Sequence, residues 1–250
     1  MSVTLRRAVA LLGTASLGGF YIWSLTGLPD FGSFRGISGR IINHAVVAER
    51  HATNAISAVN FDYRAFDTLG EELILFTAVA GVMTLLREQR GERPQAQEGG
   101  FHEAREVSDA VRVFGIAMIA LTAMVGIYVT AHGHLTPGGG FQGGVLIATA
   151  ILLVYLAHEY VVVDRLRPLP PMEALHAIGA AGFVCLGLGG VLAGGALFHN
   201  FVALGTPGML LSAGTIPLNS VAVGIEVTGG FLLVFSEFIE EAVVVSRGGE

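Results

Sequence analysis

The sequence of 250 residues contains no lysine and only one cysteine. All 14 basic residues are arginine, so the chain lacks the lysine that a phosphate-binding loop uses to reach a nucleotide's phosphates. Cys185 alone cannot form an internal disulfide or a cysteine-based metal site. The net charge of −6 also excludes the basic surface that is typical of nucleic-acid-binding proteins.

Charged residues are scarce and hydrophobic residues are abundant. Charged residues make up 14% of the chain, whereas an ordinary soluble domain has about 25%. Hydrophobic residues make up 52%, and the mean hydropathy is +0.65. A span needs about 20 apolar residues, and six stretches meet that length, so the sequence predicts an all-α integral membrane protein. The predicted spans are 5–28, 69–87, 109–131, 140–163, 174–197 and 217–245.

Between the first two spans, residues 41–66 are partly apolar and predict a helix lying half in the membrane. The first span has no small-x-small cleavage site, so we expect it to be retained rather than removed as a signal peptide.

Arginines are distributed unevenly between the two sides of the predicted spans. One side has ten and the other has four. The positive-inside rule makes the richer side cytoplasmic, so both termini are predicted to be cytoplasmic and the segment before the fourth span faces outwards. The ten are Arg6, Arg7, Arg87, Arg90, Arg93, Arg105, Arg112, Arg165, Arg167 and Arg247, and the four are Arg35, Arg40, Arg50 and Arg64.

A polar segment separates the first two spans from the last four. Residues 89–108 are rich in charge and contain Pro94, Gly99 and Gly100, a composition typical of solvated linkers. The sequence therefore predicts a membrane module at 1–88, a cytoplasmic linker at 89–108, and a four-helix membrane module at 109–250.

A glycine-rich segment, HGHLTPGGGFQGG, precedes the fourth span at residues 132–144. Its G-x-G-x-x-G match predicts no nucleotide site, because a membrane span and not a β-strand precedes it. Gly140, Gly144 and Ala148 are spaced four apart, which lets helices approach closely. Pro137 suits the first turn of a helix. The packing and loop candidates are Pro137, Gly138, Gly139, Gly140, Gly143 and Gly144.

Glu226 lies inside the sixth predicted span, where a charge costs about 2.5–3.5 kcal/mol. Glu237 and Glu240 follow at offsets that return to nearly the same helix face. This stripe is a candidate ion path. We favour an ion-handling role for Glu226, and we expect Glu237 and Glu240 to be solvated at the cytoplasmic end.

A second acidic cluster lies at the start of the second span. It contains Asp62, Arg64, Asp67, Glu71 and Glu72. If the segment is helical, Asp67 and Glu71 are one turn apart, and Arg64 can pair with a carboxylate. Carboxylates at such a position are also ordinary helix-start residues. Spacing alone does not decide between helix capping and ion handling.

Two long motifs resemble signatures of one family. HGHLTPGGGFQGGVLIATAILLVYLAHE, residues 132–159, resembles the GH-x-x-PGGGF-x-GG signature of the B subunit of Mrp-type multisubunit sodium/proton antiporters. TNAISAVNFDYRAFDTLGEELILF, residues 53–76, resembles a signature at the C-terminal end of the large A subunit of those antiporters. A similar segment occurs as a small subunit of membrane-bound hydrogenases. Together the two resemblances cover most of the chain.

The resemblance implies an accessory subunit of a cation/proton antiporter in the prokaryotic cell membrane, beside a large A-type partner that supplies the principal translocating lysines. It implies no cofactor, and Na⁺ and H⁺ as the transported ions. The motif carboxylates fall on Asp62, Asp67 and Glu71, the motif arginine falls on Arg64, and an acidic residue of the last span aligns with Glu226.

The chain departs from the family pattern at three points. Leu135 stands where asparagine is common, Ala65 replaces a frequent glycine, and the first module is fused to the B-like module rather than to the large subunit. The fusion implies a shorter A-type partner.

Three functional hypotheses remain open at this stage: a transport subunit that contributes carboxylates to ion passage, a purely structural scaffold, and a membrane-arm subunit of a hydrogenase or related respiratory complex. An enzyme acting alone is not predicted, because no nucleophile–base pair or metal-ligand constellation is apparent in the sequence.

Overall fold

The computed structural model describes residues 3–28, 32, 36–86, 108–158 and 169–248, and leaves out the side chains of residues 3, 6, 10, 155–158, 169 and 240–248. Every regular element in these ranges is helical, which confirms the predicted all-α fold. The helices are α1 Val3–Leu25, α2 Ile37–Arg50, α3 Ala55–Ala58, α4 Ala65–Leu86, α5 Asp109–Ala131, α6 Gly140–His158, α7 Leu169–Leu192 and α8 Ile216–Gly248, with a π-helical turn, Val59–Tyr63, before α4.

Five helices in the described ranges are long and apolar enough to cross a membrane: α1, α4, α5, α7 and α8. The fourth predicted span corresponds to α6, whose apolar part, Gly140–Val154, is shorter. The chain is therefore a multi-pass helical membrane protein by length and composition. The exact number of spans and their orientation stay predictions.

Residues 41–66 do not form the single half-embedded helix that the sequence predicted. α2 ends at Arg50, and His51 takes a φ of +53°, which a right-handed helix cannot contain. Asn54 then caps α3 by accepting a backbone hydrogen bond. Arg64, at φ −134° and ψ 33°, separates the π-helical turn from α4.

Glycines also place the start of α6 and the end of α7 at positions that differ from the predicted ones. Pro137 lies before α6 and not in its first turn, because Gly138 and Gly139 have φ values of +140° and +155°. α7 ends at Leu192, earlier than predicted, and Gly194 follows with a φ of +89°. Glycine adopts such positive values without the steric cost that a side chain brings.

Two compact units divide the chain, Met1–Ile41 and Ile42–Glu250. The first contains α1, whose large apolar side chains are exposed. The second contains most of α2 and all of α3 to α8, so it combines residues 42–86 with the helices that follow the predicted linker. The linker, 89–108, lies outside the described residues except for its last position, so the domain boundaries stay a prediction.

α8 is the central helix of the second unit. It packs against α4, α5, α6 and α7, and 67% of its membrane-length segment is buried, compared with 11–28% for α4, α5 and α7. Apolar residues such as Val223 and Val227 are buried on α8, and so are the polar residues Asn219, Ser220 and Glu226. Buried polar groups need hydrogen-bond partners, so the buried polar side chains of α8 mark it as the helix that carries the candidate site.

Candidate functional site: a buried carboxyl pair between two modules

The carboxyl groups of Glu72 on α4 and Glu226 on α8 lie close enough to interact directly. The two residues are 6% and 0% exposed, respectively. Both oxygens of Glu226 and Oε2 of Glu72 have no hydrogen-bond donor among the described residues. Because ionised carboxylates only accept hydrogen bonds, the two groups can bond only when one of them carries a proton.

His176 on α7 packs against the part of α8 that contains Glu226. Its Nδ1 is 3.0 Å from the backbone oxygen of Glu226. Its ring stacks on Phe76, one turn after Glu72 on α4, with 4.9 Å between ring centroids. His176 is 4% exposed, and its Nε2 has no partner among the described residues. Three helices therefore bring two carboxyl groups and an imidazole into one buried region, which we call the polar cluster.

A cavity of about 310 Å³ reaches this cluster from the glycine-rich segment. Its lining includes Glu71 and Glu72 on α4, Val223 on α8, and the segment Gly138–Gln142. Glu71 is exposed whereas Glu72 is buried. The cavity therefore connects an exposed carboxylate to a buried one, which is a suitable arrangement for proton or cation transfer into the protein interior.

Sequence reasoning selected Glu71 and did not select Glu72 or His176 as site residues. The spacing of Ala65, Thr68 and Val79 on α4 could have identified Glu72, because these residues are buried with it on one face of the helix. Glu71 is one residue away, about 100° around the helix. No comparable pattern marks His176, because the residues that follow it on α7 are apolar or glycine on every side of the helix.

The stripe that follows Glu226 is only partly described. Glu237 is 7% exposed, so the prediction of a solvated side chain was wrong for that residue. The side chain of Glu240 lies outside the described residues, and its role stays a prediction.

The two motifs that suggested a family are in direct contact. The segment HGHLT, residues 132–136, turns its backbone carbonyls towards the residues that begin α3. Thr53 Oγ1 donates to Leu135 O over 2.6 Å, and Asn54 Nδ2 donates to the carbonyls of Gly133 and Thr136 over 2.7 and 3.0 Å. The backbone N–H groups of Thr53 and Asn54 both donate to His134 O. These contacts, with Ser57 Oγ donating to Gly133 O, form the carbonyl clamp.

Asn54→Ala is expected to lower the stability of the assembled protein by about 2–4 kcal/mol, because several hydrogen bonds worth about 1 kcal/mol each and a helix cap are lost. Thr84→Ala is the matched control, since within the described ranges the Thr84 Oγ1 bonds to Ala80 O of α4, on an exposed face, and to no other residue. The midpoint of thermal unfolding, measured on purified protein in detergent, should fall for Asn54→Ala alone. Equal midpoints for the two variants would contradict the clamp.

His134 sits at the centre of the clamped segment and is 0% exposed. Burial lowers the pKa of His134, although the backbone of Met209 and Leu210 acts in the opposite direction. Neither ring nitrogen makes a hydrogen bond of ordinary geometry within the described residues. The imidazole is therefore neutral at physiological pH and serves here as a packed ring.

The glycines of α6 form two close contacts on different faces. A Cβ at Gly144 would lie 2.7 Å from Gly224 O on α8, and one at Gly140 would overlap Ser220 O on the same helix. A Cβ at Gly143 would overlap Thr130 on α5. The spacing argument correctly identified a close approach at Gly140 and Gly144, and the structure adds the second face at Gly143.

Asp62 belongs to a separate polar group beside α2. Its Oδ1 accepts from Arg50 Nε over 2.7 Å, and its Oδ2 accepts from Asn200 Nδ2 over 3.1 Å. Tyr63 Oη donates to Glu49 over 2.8 Å, and the Arg50 guanidinium lies 4.9 Å from the Tyr63 ring centroid. Burial raises the pKa of Tyr63 to about 12, and the hydrogen bond to Glu49 acts in the same direction. Asp62 is thus placed in an ion pair away from the cavity lining.

Arg64 pairs with Asp67 on the surface, where the two side chains are 69% and 50% exposed. Their geometry suits the start of α4, and neither lines the cavity that contains Glu71. The structure therefore separates the five ionisable residues at this end of α4: Glu71 and Glu72 lie at the cavity, Asp62 lies in a partly buried pair, and Asp67 with Arg64 lies in an exposed pair.

Asp62→Ala is expected to destabilise the protein by about 2–3 kcal/mol, because it removes a charged hydrogen bond and leaves Arg50 without its carboxylate. Asp67→Ala is the control and should cost at most about 1 kcal/mol, the usual value for an exposed pair. Both are measured as thermal unfolding midpoints. A larger loss of stability for Asp67→Ala than for Asp62→Ala would show that burial does not determine how much these two ion pairs stabilise the protein.

Comparison with known proteins gives a consistent result. The family model described as a domain related to the MnhB subunit of Na⁺/H⁺ antiporters matches residues 110–233. An uncharacterized protein of Methanocaldococcus jannaschii is 30% identical over 238 residues, which cover 82% of this chain and 86% of that protein. A protein of Rhizobium meliloti, described as a probable K⁺/H⁺ antiporter A/B subunit, is 29% identical over 126 residues, which cover 44% of this chain but only 13% of that protein.

Two solved structures resemble the whole chain. A chain of the membrane-bound sulfane sulfur reductase, an archaeal respiratory membrane complex, has a TM-score of 0.67 and 33% identity, with coverage of 94% of this chain and 98% of that one. A chain of the Mrp complex from Dietzia sp. DQ12-45-1b has a TM-score of 0.64 and 25% identity, with coverage of 95% and 26%, respectively. The chain belongs to the family of membrane proteins that carry a domain related to the MnhB subunit of Na⁺/H⁺ antiporters.

Proposed function

We propose that this chain is an accessory membrane subunit of a multisubunit cation/proton antiporter, and that it contributes carboxyl groups to ion passage. The observation that carries the proposal is the pair formed by Glu72 and Glu226, each more than nine-tenths buried. Glu72 lines a cavity that Glu71 also lines. Ionisable residues at such depth are costly and are retained mainly where they handle ions or protons.

The family resemblance supports the same function. The matched domain is related to a subunit of Na⁺/H⁺ antiporters. The chain also resembles part of the probable K⁺/H⁺ antiporter protein of Rhizobium meliloti and a chain of an Mrp complex. In this proposal the chain resides in the prokaryotic cytoplasmic membrane with both termini in the cytoplasm. Its partners include a large A-type subunit that carries the main translocation machinery, and the chain has no catalytic activity of its own.

Affinity purification of the native complex, followed by reconstitution into vesicles, tests the function. A pH-sensitive dye inside the vesicles should report proton movement when Na⁺ or K⁺ is added outside, and vesicles from a strain lacking this subunit should lose the response. Cation-independent pH traces in vesicles containing the intact complex would refute the proposal. Comparison of Na⁺ with K⁺ identifies the carried cation.

A second candidate is a membrane-arm subunit of a respiratory complex. The observation in its favour is that 98% of a chain from the sulfane sulfur reductase complex aligns with this one, whereas the alignment covers 26% of the matched Mrp chain. The purified complex separates the two: iron–sulfur absorption and redox subunits identified by mass spectrometry support the respiratory function, and a complex of membrane subunits alone supports the antiporter.

A further inference from the structure

We propose that Glu72 and Glu226 form a proton-binding site that shares one proton between two carboxyl groups, and that Na⁺ and K⁺ do not bind there. The inference deepens the proposed function, on which it rests for the role of the site in transport, by naming the ion that occupies this position. The motif resemblance placed carboxylates at Asp62, Asp67 and Glu71, and it assigned no role to Glu72.

The first argument is the unmet hydrogen-bonding capacity of the pair. Three carboxyl oxygens, Oε2 of Glu72 and both oxygens of Glu226, have no donor among the described residues. Two adjacent carboxylates would repel each other strongly here, because Glu72 is only 6% exposed and Glu226 is 0% exposed. A single added proton converts the pair to a carboxyl–carboxylate hydrogen bond and removes one of the two charges.

The second argument concerns the groups that surround the pair. The titratable side chains facing it are Glu71 on α4 and His176 on α7, and no arginine of the described residues pairs with Glu72 or Glu226. Within the described part of the chain, the basic group of the cluster is therefore the imidazole of His176. Its Nδ1 faces the Glu226 carbonyl, which leaves Nε2 as an unused buried acceptor or donor.

The third argument excludes a metal cation. Ca²⁺ takes six to eight oxygen ligands from carboxylates, carbonyls and water, and we expect Na⁺ and K⁺ to need an oxygen shell larger than two carboxyl groups as well. The polar cluster provides the oxygens of two carboxyl groups, and the carbonyl of Glu226 already faces His176. The backbone of Glu226 is pressed against Gly179, where a Cβ would overlap it, so there is no room for a shell of water molecules on that side. A proton needs no such shell.

The cavity provides the access route for that proton. It has a volume of about 310 Å³ and is lined by Glu71 and Glu72 together with Gly138–Gln142, so water in it reaches the near member of the pair. Glu226 is 0% exposed and is not among the residues that line the cavity, whereas Glu72 is. A proton therefore enters through Glu71 or water, binds at Glu72, and is shared with Glu226.

Carbodiimide labelling of the purified native complex tests the proposal, because dicyclohexylcarbodiimide reacts with protonated carboxyl groups in apolar surroundings. Peptide mass spectrometry should find Glu226 modified at neutral pH, with labelling that falls as the pH rises. The labelling should be equal in NaCl, KCl and choline chloride. Asp67 is the internal control and should stay unlabelled, since its side chain is 50% exposed and pairs with Arg64 instead of lying in apolar surroundings.

Two results would overturn the proposal. One is protection of Glu226 by Na⁺ or K⁺, relative to choline, by about tenfold or more, the change that one pH unit makes in the ratio of the two forms of an acid. The other is a Glu226 that stays unlabelled at every pH at which the complex is intact. Glu72→Gln should leave Glu226 labelled, with a pH profile changed from that of a coupled pair to that of a single acid.

These outcomes are separable from those of the proposed function. A complex that exchanges no cation for protons, but whose Glu226 is labelled independently of Na⁺ and K⁺, refutes antiport and leaves the proton site standing. An active antiporter whose Glu226 is protected by Na⁺ or K⁺ refutes the proton site and leaves antiport standing.

Discussion

Gly140→Ala is expected to prevent the second unit from assembling, even though alanine is a better helix former than glycine by about 1 kcal/mol. The added methyl group would overlap the carbonyl oxygen of Ser220 and lie 2.8 Å from Gly224 N and 2.9 Å from Val223 Cβ. Two of these neighbours are backbone atoms of the central helix, which cannot rotate away as a flexible side chain can. The helices must separate, and the contact that holds Val223 and Val227 in the core opens.

Gly81→Ala is the matched control. Gly81 is also inside a helix, α4, but among the described residues no atom beyond its chain neighbours and the adjacent backbone of α4 lies within 4 Å of the position that its Cβ would occupy. Alanine at position 81 has the same advantage in helix propensity but no packing cost, so Gly81→Ala should be neutral or slightly stabilising. Native gel electrophoresis of solubilised membranes should show the intact complex for Gly81→Ala and little or none for Gly140→Ala. Equal amounts of complex would show that α6 and α8 are not in contact at Gly140.

Glu226→Gln is expected to reduce cation/proton exchange by at least about tenfold, equivalent to about 1.4 kcal/mol, while the complex still assembles. Glutamine has nearly the same shape as a protonated glutamate and provides a donor to Glu72, so the fold is retained. It cannot release a proton, so a route that passes through Glu226 is blocked. Exchange is measured in reconstituted vesicles as the rate of pH change after cation addition, normalised to the amount of complex.

Glu173→Gln provides the comparison, because Glu173 on α7 is an exposed carboxylate of the same domain. It should leave exchange unchanged. Glu71→Gln should have an intermediate effect, since water in the cavity replaces part of its function. Full activity of Glu226→Gln in an assembled complex would assign Glu226 a structural role and support the scaffold hypothesis over ion passage.

Much of the fold follows from local properties of the chain. A membrane-length helix is defined by a continuous apolar stretch, so α1, α4, α5, α7 and α8 were apparent in the sequence. The glycine spacing in α6 predicted a close approach of another helix at Gly140 and Gly144, because small residues four apart fall on one helix face. The break near His51 was not apparent, since a positive φ at a non-glycine residue has no clear local signature.

The candidate site was only partly accessible from the sequence. Glu226 was identified because an acid in an apolar stretch is conspicuous by itself. Its partner was missed because Glu71 and Glu72 are adjacent and chemically identical, and a difference of one residue is a rotation of about 100°. The partners of Thr53 and Asn54 lie in a segment that follows two helices and a linker, so no local pattern indicated the carbonyl clamp.

The sequence alone determined that this is an apolar, helical, multi-pass membrane protein with an antiporter-like glycine segment and few embedded acids. The reason is that the length of an apolar stretch and the residues of a motif are local properties of the chain. Only the tertiary structure decided which acids meet. Glu72 faces Glu226, while Asp62 pairs with Arg50 and Asp67 with Arg64. The physical reason is that the packing of α4 and α7 around α8 selects the helix faces that point inwards, and that choice depends on residues far apart in the sequence.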